Sequence, residues 1–111
     1  MEYHRQQQGA VTIVRPDGPL TAPDAPALKA ELLTVAAGNL GRLVLDLSTM
    51  PFIDSLGLEA LVEVTEELSE SGQVLKLCGA NKTLREVLEL TELSSFFEHF
   101  EDAGSAARSF L

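Results

Sequence analysis

Residues 43–61, LVLDLSTMPFIDSLGLEAL, decide the fold. The run that begins at Arg42 and ends at Leu47 is almost continuously apolar, as expected of a central strand covered on both faces. Residues 48–53 interrupt it with polar residues and Pro51. From Asp54-Ser55 onward, apolar positions recur on one helical face: Leu58, Leu61, Val62, Thr65 and Leu68. The stretch therefore predicts a buried strand, a loop and a helix that Ser71-Gly72 ends.

The same alternation extends to both sides of this stretch. Upstream, the pattern predicts an edge strand at residues 3–8, a strand at 10–14, a turn at 15–19 and a helix that Asp24 caps and Gly38-Asn39 ends. Downstream, it predicts a strand at residues 74–78, a short helix capped by Asn81, a strand at 96–100 and a terminal helix at 102–111.

Strands that alternate with helices indicate right-handed βαβ crossovers, because parallel neighbours need long connections. We therefore expect an α/β fold with a mostly parallel or mixed central sheet of four to five strands and about four helices. The chain has 111 residues and shows no repeat, low-complexity tract or linker. Residues 1–111 are predicted to form a single domain.

Composition excludes several classes of protein. The formal net charge of -9 argues against binding nucleic acid or an anionic membrane, since both would be repelled. The single cysteine, Cys78, cannot form an internal disulfide, and no Cys/His cluster has zinc-site spacing. The N-terminus lacks a signal-peptide pattern, and no apolar run is long enough to span a membrane. These features predict a soluble cytoplasmic protein without a metal or cofactor.

Ser55 lies where a strand's carboxyl end leads into a helix, the usual place for sites in open α/β sheets. The first backbone N–H groups of a helix lack partners, so a phosphate on Ser55 would find favourable donors there. It would also add about -1.5 to -2 charge to a contact surface. The simpler alternative is that Asp54 and Ser55 only cap the helix and that Gly57 relieves crowding. Both interpretations remain open from spacing alone.

The segment Ile53-Asp54-Ser55-Leu56-Gly57-Leu58 that follows the buried strand resembles the signature of STAS domains, the fold of anti-sigma-factor antagonists. The resemblance covers nearly the whole chain. Residues 18–21 followed by Asp24 are similar in spacing to the loop and capped helix of that family, and residues 44–48 and 74–78 look like its central strands.

The resemblance implies that Ser55 is phosphorylated by an anti-sigma-factor serine kinase, a histidine-kinase-like ATPase, and is reset by a phosphatase. The unphosphorylated protein would bind that kinase and so free a sigma factor. The implied partner-binding residues are Thr21, Asp24, Asp54, Ser55, Leu56, Gly57 and Leu58. Asp54 matches an acidic residue at the same interface. The protein would be a binding module rather than an enzyme.

Two positions depart from the family pattern and keep an alternative open. Leu56 stands where many relatives have a second serine, and Thr21 stands where many antagonists carry an aspartate tied to kinase contact. The alternative is a STAS adaptor subunit, in a lipid-transport ATPase or a stress-signalling complex, that is not phosphorylated.

Enzyme and phosphoacceptor alternatives fit the sequence less well. A serine hydrolase would need a nucleophile elbow, but Ile53 replaces its first glycine and only His4 and His99 could act as the base. Asp46 lacks the acidic cluster of a receiver domain.

Three further predictions concern packing. Cys78 is predicted to be a core residue and Lys76 to extend from an edge of the sheet. The phenylalanines near the C-terminus are predicted to pack in the core and around the C-terminal segment, although an exposed member could join an interface: Phe96, Phe97, Phe100 and Phe110.

Overall fold

A five-stranded sheet in the order β1-β2-β3-β4-β5 forms the centre of the computed structural model, which describes residues 1–111. The strands are β1 (Glu2–Gln8), β2 (Val11–Asp17), β3 (Leu43–Asp46), β4 (Leu75–Cys78) and β5 (Phe97–Phe100). The helices are α1 (Ala25–Gly38), α2 (Ser55–Ser69), α3 (Lys82–Leu90) and α4 (Ala103–Arg108), and a 3-10 turn covers Ser94–Phe96.

The sheet is mixed. β1 pairs antiparallel with β2 from Glu2 opposite Asp17 to Gln8 opposite Val11, and every other pair is parallel. The predicted α/β class with a mixed, mostly parallel sheet and about four helices is therefore confirmed. The edge strand predicted at residues 3–8 is also present, and its side chains are mostly exposed.

The two faces of the sheet are covered unequally. The larger apolar cluster holds 19 buried residues, including Leu28 of α1, Leu61 of α2, Leu84 of α3 and Leu45 of β3. The smaller cluster holds six buried residues on the other face, where Ala106 and Ala107 of α4 cover Val11, Ile13, Val44 and Cys78. None of the helices is long and apolar enough to cross a membrane.

Three of the four helices begin with a side-chain cap. Asp54 caps α2, Asn81 caps α3 and Asp102 caps α4, each by accepting a backbone N–H from three residues further on. Asp24 occupies the same position before α1 but makes no capping bond. Its Oδ1 lies 3.2 Å from the N-terminal ammonium of Met1 instead, so the prediction that Asp24 caps the helix is wrong.

The turn predicted to begin at residue 15 begins later in the structure, after Asp17. β2 continues through Asp17 because β1 pairs with it along that whole length, with Tyr3 opposite Pro16. Parallel pairing between β2 and β3 ends at Val14, so the missing N–H of Pro16 leaves no gap in a ladder with β3.

The end of α1 differs from the predicted stop at Gly38-Asn39 in one detail. Gly38 is the last helical residue, and the left-handed conformation falls on Leu40, at φ 62°. The N–H of Gly41 then donates to the carbonyl of Ala36 at 2.8 Å, which closes the helix with a Schellman-type bond.

The position of Lys76 also differs from the prediction. β4 lies between β3 and β5 rather than at an edge, and the Lys76 side chain is only 11% exposed. Its Nζ donates to Ser109 Oγ at 2.6 Å and lies 3.9 Å from the centre of the Phe110 ring. The residues around α4 therefore cover this ammonium group.

The C-terminal phenylalanines do not all lie in the core. Phe97 is buried, while Phe100 and Phe110 are half-buried against the smaller cluster. Phe96 lies in the 3-10 turn and is 44% exposed. Cys78 is buried as predicted.

Candidate functional site

Two loops meet at the carboxyl end of the central strands. One follows β2 (residues 18–24) and the other follows β3 (residues 47–54). Three backbone hydrogen bonds join them: Gly18 N–H to Thr49 O at 3.1 Å, Leu20 N–H to Phe52 O at 3.1 Å, and Asp54 N–H to Leu20 O at 3.0 Å. Residues Leu20 and Ile53 form a one-residue parallel bridge. The start of α2 is therefore fixed to the loop before α1.

The carboxylate of Asp54 reinforces this junction on both sides. Its Oδ1 accepts the N–H of Gly57 at 2.8 Å and so caps α2. Its Oδ2 accepts the N–H of Ala22 in the other loop, also at 2.8 Å. One side chain thus satisfies a free donor of the helix and a free donor of the neighbouring loop.

Gly57 permits the close approach of α2 to the first loop. A Cβ at this position would lie 2.8 Å from the carbonyl oxygen of Leu20, 2.9 Å from Leu20 Cγ and 2.8 Å from Ile53 Cγ1. Such distances are shorter than any ordinary van der Waals contact. Glycine lowers the stability of a helix interior, and the close packing of α2 against Leu20 explains why one is present at position 57.

Ser55 is the first residue of α2 and is exposed. Its hydroxyl makes no hydrogen bond within the protein. The backbone N–H groups of Ser55 and Leu56 are also free, because the only N–H of α2 that the Asp54 side chain accepts is that of Gly57. Two donors at the positive end of a 15-residue helix thus lie next to an unengaged hydroxyl. An anionic group attached to Ser55 would meet favourable partners there.

The surface around Ser55 is partly apolar. Phe52 and Leu56 are each 50% exposed. Leu56 also lines a groove of about 250 Å³ between the N-terminal parts of α1 and α2, together with residues that include Ala22 and Pro26. The Lys29–Glu63 ion pair, 3.3 Å between Nζ and Oε2, lies at the same groove. Exposed apolar side chains beside a polar rim are typical of a protein contact surface.

The structure brings the predicted partner-binding residues into one region but does not expose all of them. Thr21 and Asp24 are half-buried in the loop before α1. The carbonyl of Thr21 accepts the N–H groups of Asp24 and Ala25, at 2.9 and 3.0 Å. Gly57 and Leu58 are buried, with Leu58 only 7% exposed. These two residues support the surface from beneath.

Two further supports of this site could not be predicted from local sequence patterns. Thr49 Oγ1 donates to the carbonyl of Pro16 at 2.8 Å and contacts Asp17 Oδ1 at 3.1 Å. Asn81 Nδ2 donates to the carbonyl of Pro51 at 3.2 Å while its Oδ1 caps α3. Both contacts join residues about 30 positions apart through backbone carbonyls, which no local spacing encodes.

Neither histidine contacts Ser55. His4 Nε2 bonds Asp17 Oδ2 at 2.5 Å, and this contact is the main cause of the lowered pKa of Asp17. His99 Nε2 bonds the carbonyl of Ser94 at 2.8 Å. The base that a serine nucleophile requires is therefore not in place at Ser55. No group of three or more His, Cys, Asp or Glu side chains is arranged to hold a metal ion.

Cys78 is not a reactive thiol in this fold. Burial, followed by the nearby negative charge of Asp46 and a hydrogen bond with it, raises the pKa of Cys78 to about 12. A buried thiol with so high a pKa stays protonated near neutral pH and behaves as a small core residue.

A family model described as the STAS domain matches residues 3–106. Among individual proteins, the chain is 31% identical over 93 residues to BtrV of Bordetella bronchiseptica, which is named as an anti-sigma factor antagonist. The match covers 84% of this chain and 80% of BtrV.

Solved structures share the fold at lower identity. TM1081 of Thermotoga maritima, described as an anti-sigma factor antagonist, has a TM-score of 0.87 at 23% identity, covering 96% of this chain and 92% of that one. SpoIIAA of Bacillus has been solved in an unphosphorylated form, with a TM-score of 0.78, and in a phosphorylated form, with a TM-score of 0.71. Both forms are 15% identical to this chain. The first covers 98% of this chain and 96% of SpoIIAA, and the second 97% and 99%. At these identities the likeness shows the fold.

Proposed function

This chain belongs to the STAS domain family, and from that premise we propose that it is an anti-sigma factor antagonist whose binding is switched by phosphorylation of Ser55. In its unphosphorylated form it binds an anti-sigma-factor serine kinase of the histidine-kinase-like ATPase class and frees a sigma factor in the cytoplasm. A phosphatase acting on Ser55 resets the switch.

The observation that carries this proposal is the environment of Ser55. The hydroxyl is exposed and free of hydrogen bonds, and two free backbone N–H groups lie beside it at the start of α2. A kinase could reach the hydroxyl without unfolding any element. Because Asp54 uses both carboxylate oxygens on backbone donors, its charge is partly compensated before a phosphate arrives. The relative named as an antagonist at 31% identity, BtrV, adds support.

The switch acts on the surface rather than on the fold. Phe52, Leu56 and the groove that Leu56 lines offer an apolar contact area. We expect this area to stay in place when Ser55 is modified, because Ser55 makes no side-chain hydrogen bond that a phosphate would break. A phosphate on Ser55 would add about -1.5 to -2 charge at the centre of this contact area. In a complex that charge would either lose its hydration or be repelled by an acidic partner surface. That SpoIIAA has been solved in both forms with this same fold is consistent with such a mechanism.

The first test maps the modification. The protein is incubated with ATP and a histidine-kinase-like ATPase of the anti-sigma-factor class from the same organism, and the phosphorylated residue is located by mass spectrometry. We expect one phosphate on Ser55. Ser55→Ala should remove it, whereas Ser48→Ala, at an exposed serine of the preceding loop, should not. Phosphate on any other residue, or none, would contradict the switch.

The second test separates binding from modification. Ser55→Ala should bind the kinase as well as the unmodified protein does, because the exposed apolar surface is unchanged. Ser55→Glu should bind about tenfold or more weakly, since a charge must be buried or repelled. Ser95→Glu adds the same charge at an exposed serine before β5 and should have no effect. Equal binding by Ser55→Ala and Ser55→Glu would sink the electrostatic mechanism.

Thr21 favours a second candidate function. No hydrogen bond engages its side chain, and it brings no carboxylate to the loop beside Ser55. An adaptor subunit of a lipid-transport ATPase or a stress-signalling complex would use the same surface without a kinase. Retained binding to such a complex, together with no phosphate on Ser55, would select this alternative.

A further inference from the structure

A second groove lies at the far end of α1 and α2. It has a volume of about 460 Å³, and its apolar lining comes from both helices and from the turn that follows α1: Leu33, Ala36, Ala37, Leu40 and Leu68. Ser55 begins α2, whereas this groove lies where the 15-residue helix ends, about 20 Å away along the helix axis. The groove is therefore separate from the surface assigned to the kinase.

Leu40 stands at the rim of this groove in a costly conformation. It is 76% exposed and has a φ of 62°, a left-handed conformation that disfavours a leucine. The helix stop formed here usually carries glycine at this position, and Gly72 fills the left-handed position after α2. Folding alone therefore does not explain an exposed leucine here, and strained residues concentrate at functional sites.

The charges at this end oppose the helix dipoles. Glu67 lines the groove and Glu70 is the C-cap residue of α2, at the negative end of the helix. Neither carboxylate forms an ion pair, and the last turns of α1 and α2 contain no basic residue. Acidic side chains in this position cost the free protein stability, so a cation supplied from outside would be attracted strongly.

We propose that this groove, defined by Leu33, Leu40, Glu67 and Leu68, binds a cationic amphipathic helix of a partner protein. An apolar side chain of that helix packs between α1 and α2 against Leu40. Its Lys or Arg side chains lie over Glu67 and Glu70, at the negative ends of the two helices. A second copy of this chain is a poorer occupant, because it brings a net charge of -9 and the same acidic end.

The test uses an isotope-labelled protein and a synthetic helical peptide of about 15 residues made of leucine and lysine, long enough to form a helix. A peptide with glutamate in place of lysine is the ligand control. We expect NMR shift changes confined to residues 33–41 and 67–73 with the lysine peptide only. Ser55→Glu should bind the peptide as well as the unmodified protein does, so failure of the kinase switch and failure of this groove are distinguishable.

Matched variants distinguish peptide binding at the groove from attraction to the protein's overall negative charge. Leu40→Asn and the double variant Glu67→Gln/Glu70→Gln should each weaken peptide binding about tenfold. Leu90→Asn and Glu86→Gln/Glu89→Gln alter an equally exposed leucine and two exposed acids on α3. These controls should change the affinity less than about twofold. Asparagine tolerates a positive φ, so Leu40→Asn should melt no lower than the unmodified protein.

Three outcomes would overturn the proposal. Shift changes spread over the whole acidic surface would indicate non-specific attraction. Equal losses in the α3 controls would show that Leu40 and Glu67 have no special role. Concentration-dependent shifts of residues 33–41 without peptide, accompanied by a dimer in sedimentation, would show that a second copy fills the groove.

Discussion

Among single residues, Asp54 connects the most parts of the site. Its two oxygens bind backbone donors of α2 and of the loop before α1, so it holds the position of the helix start. The resemblance to antagonists implies a role at the kinase interface for this residue. The geometry shows a structural role that precedes any such contact, and binding defects in Asp54 variants must therefore be compared with their stability.

Gly57→Ala should destabilise the protein by about 2 kcal/mol, although alanine is the better helix former. The added methyl group would lie 2.8 Å from the Leu20 carbonyl oxygen, which belongs to backbone and cannot move aside cheaply. Urea unfolding measures the change. Gly38→Ala is the control, because its methyl group would meet no atom within 4 Å and should stabilise α1 by about 0.5 kcal/mol. A stabilised Gly57→Ala protein would refute the close packing.

Among secondary-structure elements, α4 is the shortest helix and the only one on its face of the sheet. Its six residues bury mainly alanines, which contribute little apolar area. The contacts of Lys76 with Ser109 and Phe110 add to this packing. An ammonium group from the sheet therefore helps to hold the chain's last helix.

Lys76→Ala should loosen α4 and expose Cys78, which packs in the same cluster as Ala106 and Ala107. With a pKa of about 12, roughly one Cys78 thiol in 10⁴ is ionised at pH 8, and it is buried as well. Reaction with an aromatic disulfide reagent should thus be very slow in the unmodified protein. The variant should react about tenfold faster, because α4 opens more often.

Lys82→Ala is the matched control for this experiment. Lys82 is 83% exposed on α3 and pairs only with Glu86, at 3.8 Å. Its loss should leave the reaction rate of Cys78 unchanged. An unchanged rate in Lys76→Ala as well would show that Lys76 does not hold α4 on the sheet.

Local sequence patterns predict the elements whose apolar residues recur with a strand or helix period. They fail where contacts with a distant part of the chain determine the structure. The apolar runs of β3 and β4 and the one-sided face of α2 suffice to place those elements. The extension of β2 through Pro16 depends on pairing with β1, and the covering of Lys76 depends on α4. At the site, Ser55 and Asp54 follow from the strand-loop-helix pattern. The hydrogen bond from the Ala22 N–H to the Asp54 carboxylate joins residues 32 positions apart. Because its donor is a backbone group, no particular residue type at position 22 indicates it.

For the molecule as a whole, the net charge of -9 implies mutual repulsion among carboxylates. Most of its ion pairs involve exposed or half-exposed side chains and contribute little. Raising NaCl from about 0.05 M to about 0.5 M should therefore increase Tm by roughly 3 °C, measured by circular dichroism, because it screens the repulsion.

The variant Glu66→Gln/Glu67→Gln/Glu70→Gln tests where that repulsion originates. These three acids lie close together at the end of α2. Their neutralisation should raise Tm at low salt and reduce the salt dependence. A Tm that falls with added salt in the unmodified protein would mean that its ion pairs outweigh the repulsion.

The strand order has a kinetic consequence. Every strand lies beside the one that precedes it in the chain, and most connections span no more than one helix. Closing each loop therefore costs little entropy, and the contact order is low for a sheet with parallel strands. The loop whose Ala22 N–H donates to Asp54, residues 18–24, also precedes Asp54 in the chain. The β1–β2 hairpin and the start of α2 can thus assemble during synthesis, before the last strand has left the ribosome.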